Sequence, residues 1–221
     1  SNQYTLHLVD IPGMGKSHII DPYDLNHLAE AISKELPSSF DILGWSLGSL
    51  IALKMSLIYP KKIHRMVLVG GTPRFINQTD WSHGVDIKDF NDFANKLFKN
   101  YKSTMINFYT LQLMYSKHSK LLIKKLKDMN DEVNAPDVKS LQLSLDILLN
   151  NDLRDDINKI NHQTLLIVGE KDRLTPKSAS EWLESHLKEA QLKVIQGASH
   201  IPFLSHADEF FDHLDQFLLA A

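Results

Sequence analysis

Phe40-Asp41-Ile42-Leu43-Gly44-Trp45-Ser46-Leu47-Gly48 is the stretch on which the reading of this chain turns. A short apolar run leads into a G-x-S-x-G pattern, and Leu47 to Tyr59 continues with helical spacing. Strand, pattern, helix is the context of a nucleophile elbow, in which the turn is sharp enough to strain the serine backbone. Small residues two before and two after the serine are expected to let strand and helix pack closely. The Ser46 hydroxyl then projects at the end of a sheet, within reach of a base and a substrate. A bare five-residue match turns up by chance in roughly one chain in ten of this length. The bland reading is therefore a glycine-rich turn with an ordinary serine, and the flanking elements argue against it. The chemistry proposed is acyl transfer through a serine ester.

Outward from the elbow, strands alternate with helices. Tyr4–Val9 alternates and is read as a strand, and Leu25–Leu36 has helical spacing at Leu25, Leu28, Ala29, Ile32 and Leu36. Met66–Gly71 and Thr164–Gly169 are continuous apolar runs ending in glycine, as buried parallel strands are. Pro176–Leu187 reads as a helix, Leu192–Ile195 as a strand and Ala207–Leu219 as a closing helix. This order predicts an α/β domain with a mostly parallel sheet. Between Pro73 and about Asn151 the pattern is helical throughout, near 86–100, 102–115, 117–130 and 137–150. The expected organisation is a core from 1–72 and 152–221 with a helical lid inserted at 73–151.

A serine needs a base, and the chain has eleven histidines, so position must choose. Reactive groups of an open α/β sheet sit in loops at the carboxyl ends of strands. His200 lies in such a loop, after the strand ending at Ile195. His162 precedes a strand, His7 is read inside one, and His27, His186 and His213 fall in helices. His206, at a helix start, is the neighbouring candidate, with a capping or surface role as its simpler reading. For the acid that would orient the imidazole, Asp172 follows the strand ending at Val168; Glu170 is the nearby competitor, closer to the strand end. The chain order is then Ser46, Asp172, His200, as in α/β-hydrolases.

Composition bounds the rest. The 221 residues carry a net charge of −3 and are 43% hydrophobic, which suits one globular domain and gives no reason to expect nucleic acid as partner. The absence of cysteine excludes disulfides and a thiol nucleophile, and suits a reducing cytoplasm. No apolar run is long enough to span a membrane. The chain opens Ser1-Asn2-Gln3-Tyr4, almost at once into the first expected strand, so a natural N-terminus is expected further upstream. Pro12–Ser17 resembles a phosphate loop only in part, because that pattern requires glycine where Asp10 stands. No metal-ligand spacing occurs, and no cofactor is expected.

One charge feature stands out. From Phe93 to Lys127 there are eight lysines and no acidic residue, so this segment carries +8 and the remainder −11. Lys117, Lys120, Lys124 and Lys127 recur at helical spacing on one face. A solvated helix face is the ordinary reading; the lack of any acidic neighbour favours a docking face for an acidic macromolecule. Aromatic residues of the same region, Phe90, Phe93, Phe98, Tyr101, Phe108, Tyr109 and Tyr115, mostly read as helix packing, with some lining an acyl pocket above Ser46.

Gly44–Gly48, Asp10–Ser17, Phe108-Tyr109-Thr110-Leu111-Gln112 and Ser199–His206 together resemble the biotin-pathway pimeloyl-acyl-carrier-protein methyl ester esterases, over essentially the whole chain. The resemblance implies an α/β-hydrolase fold with a helical lid, and hydrolysis of the methyl ester of a pimeloyl chain on acyl carrier protein. It implies a catalytic triad of Ser46, Asp172 and His200, with the Leu47 amide as oxyanion donor. Substrate contacts are implied at Ser46, Leu47, Phe108 to Gln112 and His200, with Trp45 of the elbow expected beside them. Lys120 and Lys124 stand where the family has basic docking residues, and Lys117 and Lys127 share their face, so carrier docking is expected at all four; a monomer is expected. Family members favour arginine on this face; lysine keeps the charge but not the bidentate fork. Such esterases also have about three strands before the one matched by Tyr4–Val9, and a His-Gly-aromatic-Gly loop that supplies a second oxyanion donor. Neither is found here, so the core is expected to lack its first strands, including one beside the elbow strand. The rival readings are another lidded hydrolase, such as a short-chain carboxylesterase or a menaquinone-pathway lyase, a hydrolase-like binding protein, and an inactive fragment.

Overall fold

The computed structural model describes residues 4–113, 116, 118–132 and 135–219. Four strands, β1 (Phe40–Trp45), β2 (Ile63–Val69), β3 (Gln163–Gly169) and β4 (Ala190–Ile195), form a sheet in the order β1-β2-β3-β4. All three pairings are parallel, with Trp45 opposite Val69, Val69 opposite Ile167 and Gly169 opposite Ile195. That register brings the carboxyl ends of all four strands to one edge. Ser46, Gly70, the turn after Gly169 and the loop after Ile195 therefore emerge side by side.

The sheet sorts its side chains by the two-residue period of a strand. Met66, Leu68 and Leu166 face one way and pack on α1 (Leu25–Glu35), α2 (Leu47–Ile58) and α7 (Lys177–His186) through Leu28, Leu53 and Leu183. Val67, Val69, Leu165 and Ile167 face the other way, onto Phe210 and Phe217 of α9 (Ala207–Leu219). The continuous apolar runs of β2 and β3 are thus buried on both faces, and each buried Leu, Ile or Val stabilises the fold by about 1.5–3 kcal/mol relative to exposure. Asp24 starts α1 by accepting from the amides of Asn26 and His27.

The segment between β2 and β3 holds α3 (Ile87–Lys99), α4 (Tyr101–Leu113), α5 (Ser119–Glu132) and α6 (Val138–Asn150). Phe75, Ile76, Phe90, Leu97, Leu141 and Leu145 give it a core of its own, against which Met14 also packs. The loop that carries Met14 is fitted to α6. Gly13 has a φ of +83°, and a Cβ there would lie 2.6 Å from Ser140 Oγ. The Tyr23 hydroxyl donates to Pro12 O at 2.9 Å and lies 2.9 Å from Ser144 Oγ.

Tyr4–Val9 is not a strand. Residues 4–10 are exposed coil, with Leu6 at 80% and Leu8 at 94% exposure, and His7 accordingly lies outside any strand. Alternation alone does not make a strand; its backbone needs a neighbour to bond with. Among the described residues β1 pairs only with β2, so its other edge is open and Leu43 is half exposed. Two short elements were not read from the sequence: the 3-10 turn Arg154–Lys159 and α8 (Pro202–Ser205). No described helix is long and apolar enough to cross a membrane.

Candidate active site

Ser46 joins β1 to α2 with φ +54° and ψ −117°, and it is the one non-glycine residue with positive φ among those described. Such a conformation costs about 1–3 kcal/mol and persists only where its surroundings over-determine it. Here they do. The Ser46 amide donates to Val69 O at 3.0 Å, the Ser49 amide returns to Ser46 O at 2.9 Å, and Ser49 Oγ donates to Gly44 O at 2.6 Å. The two glycines of the pattern have different roles. A Cβ on Gly44 would run into the Gly48 carbonyl and the Ser49 amide, whereas a Cβ on Gly48 would meet nothing within 4 Å. Close packing of strand and helix therefore depends on Gly44; Gly48 faces open space.

The turn after β3 presents Asp172, and the loop after β4 presents His200. Both side chains are buried, and His200 Nδ1 lies 2.8 Å from Asp172 Oδ2. The remaining capacity of the carboxylate is filled by the Leu174 and Thr175 amides on Oδ1 and the Thr175 hydroxyl on Oδ2, each at 2.9 Å. An ionised carboxylate only accepts, so Nδ1 carries the proton and Nε2 keeps its lone pair. Nε2 is buried and has no hydrogen-bond partner among the described residues. It is the atom a general base must keep free. Two glycines make room for this loop. At Gly70, with φ +52°, a Cβ would lie 3.0 Å from His200 Nδ1; at Gly169 it would strike the Ala198 and Ser199 carbonyls.

The competing residues sit elsewhere. Glu170 accepts from the Gly197 amide at 3.0 Å, bracing the loop from below, and His206 pairs with Ser205 Oγ at 2.9 Å. The Leu47 amide opens α2, where first-turn N–H groups lack helical partners and the helix dipole is positive. An anion forming beside Ser46 would meet that end.

The residues expected to touch substrate are divided by the helix period. Trp45 donates from Nε1 to His200 O at 2.8 Å and packs its ring 5.5 Å from the imidazole. Phe108 and Gln112, one turn apart on α4, both face His200: the Phe108 ring meets the imidazole edge-on at 6.4 Å, and Gln112 Oε1 accepts from Ser199 Oγ at 2.6 Å and from the His200 amide at 3.3 Å. Tyr109 packs on Phe108, and burial pushes its phenol above the usual tyrosine range, with Tyr101 adding to the shift. Thr110 bonds back to Ile106 O at 2.7 Å, and Leu111 is 60% exposed, turned away from the site.

On α5, Lys120, Lys124 and Lys127 are exposed and form no ion pair among the described residues; Lys117 and Tyr115 lie outside those residues. Thr175 and Ser199 were not anticipated as site residues. The Asp172-to-Thr175 spacing, an acceptor three residues before an amide it bonds, was the one local signal for the first. Ser199 had none.

Comparison with known proteins then supplies context. The model of the alpha/beta hydrolase fold family matches residues 1–207. The pimeloyl-[acyl-carrier protein] methyl ester esterase of Nitrosomonas europaea is 33% identical over 215 residues, 97% of this chain and 85% of that protein. The enzyme of the same name from Aeromonas hydrophila is 32% identical over 220 residues, 99% of this chain and 86% of that protein. Among solved structures, an esterase from Exiguobacterium antarcticum superposes with a TM-score of 0.84 at 23% identity, covering 96% of this chain and 80% of that one. A bromoperoxidase from Bacillus anthracis gives a TM-score of 0.82 at 20% identity, over 95% and 79%. At such identities these two likenesses speak to the fold alone.

Proposed function

Since the chain belongs to the α/β-hydrolase family, among the pimeloyl-[acyl-carrier protein] methyl ester esterases, we propose that it is a serine carboxylesterase that frees the pimeloyl carboxylate from its methyl ester through Ser46, His200 and Asp172. Ser46 Oγ attacks the ester carbonyl while His200 Nε2 takes its proton. Asp172 holds the imidazole in the required tautomer and stabilises its positive form. The tetrahedral oxyanion lies against the Leu47 amide. Collapse expels methoxide, which takes the proton from Nε2 and leaves as methanol. Water then attacks the acyl-serine with Nε2 again as base, and the proton returns to Ser46 Oγ as the carboxylate departs.

The observation that carries this reading is the buried His200, with Nδ1 committed to Asp172 and Nε2 unpartnered, in the loop beside a strained Ser46. Contacts between base and nucleophile commonly tighten only when substrate is bound. The acyl carrier protein is taken as the partner because α5 offers exposed lysines to an acidic surface, with the aromatic residues around Phe108 beneath for an acyl chain.

One experiment with two substrates tests both halves. Hydrolysis of a p-nitrophenyl ester and of the carrier-linked pimeloyl methyl ester is measured for Ser46→Ala and for the double variant Lys120→Glu/Lys124→Glu. Ser46→Ala is expected to lose about 1000-fold or more on both. The lysine reversal is expected to weaken only carrier-linked turnover, by about tenfold or more, in line with a role in charge-guided encounter. Undiminished turnover by Ser46→Ala overturns the esterase reading; equal losses on the two substrates overturn the docking face.

A further inference from the structure

The His200 peptide is gripped on both sides. Its carbonyl accepts from Trp45 Nε1 at 2.8 Å, and its amide donates to Gln112 Oε1 at 3.3 Å. The same Gln112 oxygen accepts the Ser199 hydroxyl at 2.6 Å. A backbone amide can only donate, so the carbonyl end of the Gln112 side chain must face the loop. Gln112 sits on α4, whereas Ser199 and His200 follow β4, 87 and 88 residues further along the chain. Ser116 Oγ adds a weaker link from the same region, donating to Ser205 O at 3.3 Å.

We propose that Gln112 is a positioning residue: by accepting from Ser199 and from the His200 amide, it fastens helix α4 to the histidine loop and sets the placement of the general base. This rests on the reading of His200 as base and deepens it, for it gives Gln112 a role other than the substrate contact expected of it. The oxygen that would have met a substrate already serves two donors of the loop. Its loss frees the amide side of the His200 peptide and leaves Trp45 to hold the other. A catalytic group displaced by about 1 Å loses on the order of 100-fold in rate.

The test compares Gln112→Leu, Ser199→Ala, the double variant and Gln112→Glu on p-nitrophenyl acetate and p-nitrophenyl hexanoate, with His200→Ala alongside and thermal midpoints for every protein. Gln112→Leu is expected to lower kcat by about 10- to 100-fold, by the same factor on both esters and with KM little changed. Ser199→Ala removes one of the two donors and is expected to cost several-fold; in the double variant it adds little to the loss caused by Gln112→Leu. Gln112→Glu keeps the acceptor oxygens, so most of kcat returns. Its added negative charge favours the imidazolium, and the acidic limb of the kcat/KM profile moves to higher pH. A loss that grows with acyl length, a loss confined to KM, or full additivity of the two single variants overturns the proposal. If Gln112→Leu does not fold, Ser199→Ala and Gln112→Glu decide between the same outcomes. Full activity in His200→Ala overturns the base assignment instead; an inactive His200→Ala with unaffected Gln112 and Ser199 variants overturns only the positioning role.

Discussion

Ser46 is held at φ +54° by neighbours that leave it no cheaper conformation: the Val69 carbonyl on one side, the Ser49 amide on the other, and Gly44 packed against Gly48 and Ser49 beneath. The two glycines of the elbow should therefore respond in opposite ways. Gly44→Ala puts a methyl group into backbone that cannot move without shifting the elbow, and is expected to cost about 1–3 kcal/mol in urea unfolding, with loss of activity. Gly48→Ala has open space and lies in the first turn of α2, where alanine is the better helix former; it is expected to be neutral or to stabilise by up to about 1 kcal/mol. Equal destabilisation by the two would contradict this account of the turn. The placement of Ser46, Asp172 and His200 at one edge of the sheet was legible in the sequence, because each follows a strand in a fixed chain order. The sequence did not carry Thr175 or the Gln112–Ser199 pair as restraints on His200. A hydrogen bond between side chains 87 residues apart leaves no spacing to read.

At the scale of elements, the helical segment is tied to the sheet where the chain leaves and re-enters it. Arg74, just after β2, and Asp152, just after α6, form an isolated bridge and an ion pair at 2.7 Å, and Arg154 joins them at 2.8 Å. Burial alone would push the Asp152 carboxyl up. Hydrogen bonds from the Arg154 side chain and amide and from Arg74 outweigh it and bring the value down to about 2. A carboxylate depressed in the folded state contributes stability that is complete above its unfolded value, near 4, and is lost as pH falls towards 2. Asp152 is solvent-exposed and its pairs are screened, so the stability gap between the protein and Asp152→Asn should be about 1 kcal/mol near neutral pH and close as pH falls through that window, as followed by urea unfolding. A gap independent of pH would assign the loss to packing instead. Most elements were legible from period and composition, including the four helices between β2 and β3. Tyr4–Val9 was misread because its alternation describes a strand's side chains, while strand formation also needs a partner's backbone, and among the described residues β1 has only β2 beside it. The 3-10 turn and α8 are too short to show a period.

Across the whole molecule, the charge is segregated. Eight lysines and no acidic residue lie between Phe93 and Lys127, and the rest of the chain is acidic in balance. The basic α5 packs on α4, and α4 carries Phe108 and Gln112 to His200. The surface proposed for the carrier and the loop that bears His200 are thus one helix apart. The fold class was readable at this scale from the alternation of strands and helices. The coupling was not, since it depends on which face α4 turns to the sheet. Everything rests on one chemical event, the formation of an ester on Ser46. Mass spectrometry of the protein quenched during turnover of the carrier-linked pimeloyl methyl ester observes it directly. The account predicts the carrier-linked pimeloyl group, less methanol, joined by an ester to the peptide that contains Ser46, and no such adduct on Ser46→Ala, which releases no methanol above background. Methanol release at the full rate by Ser46→Ala, or an acyl group found on a different residue of the active protein, would contradict it.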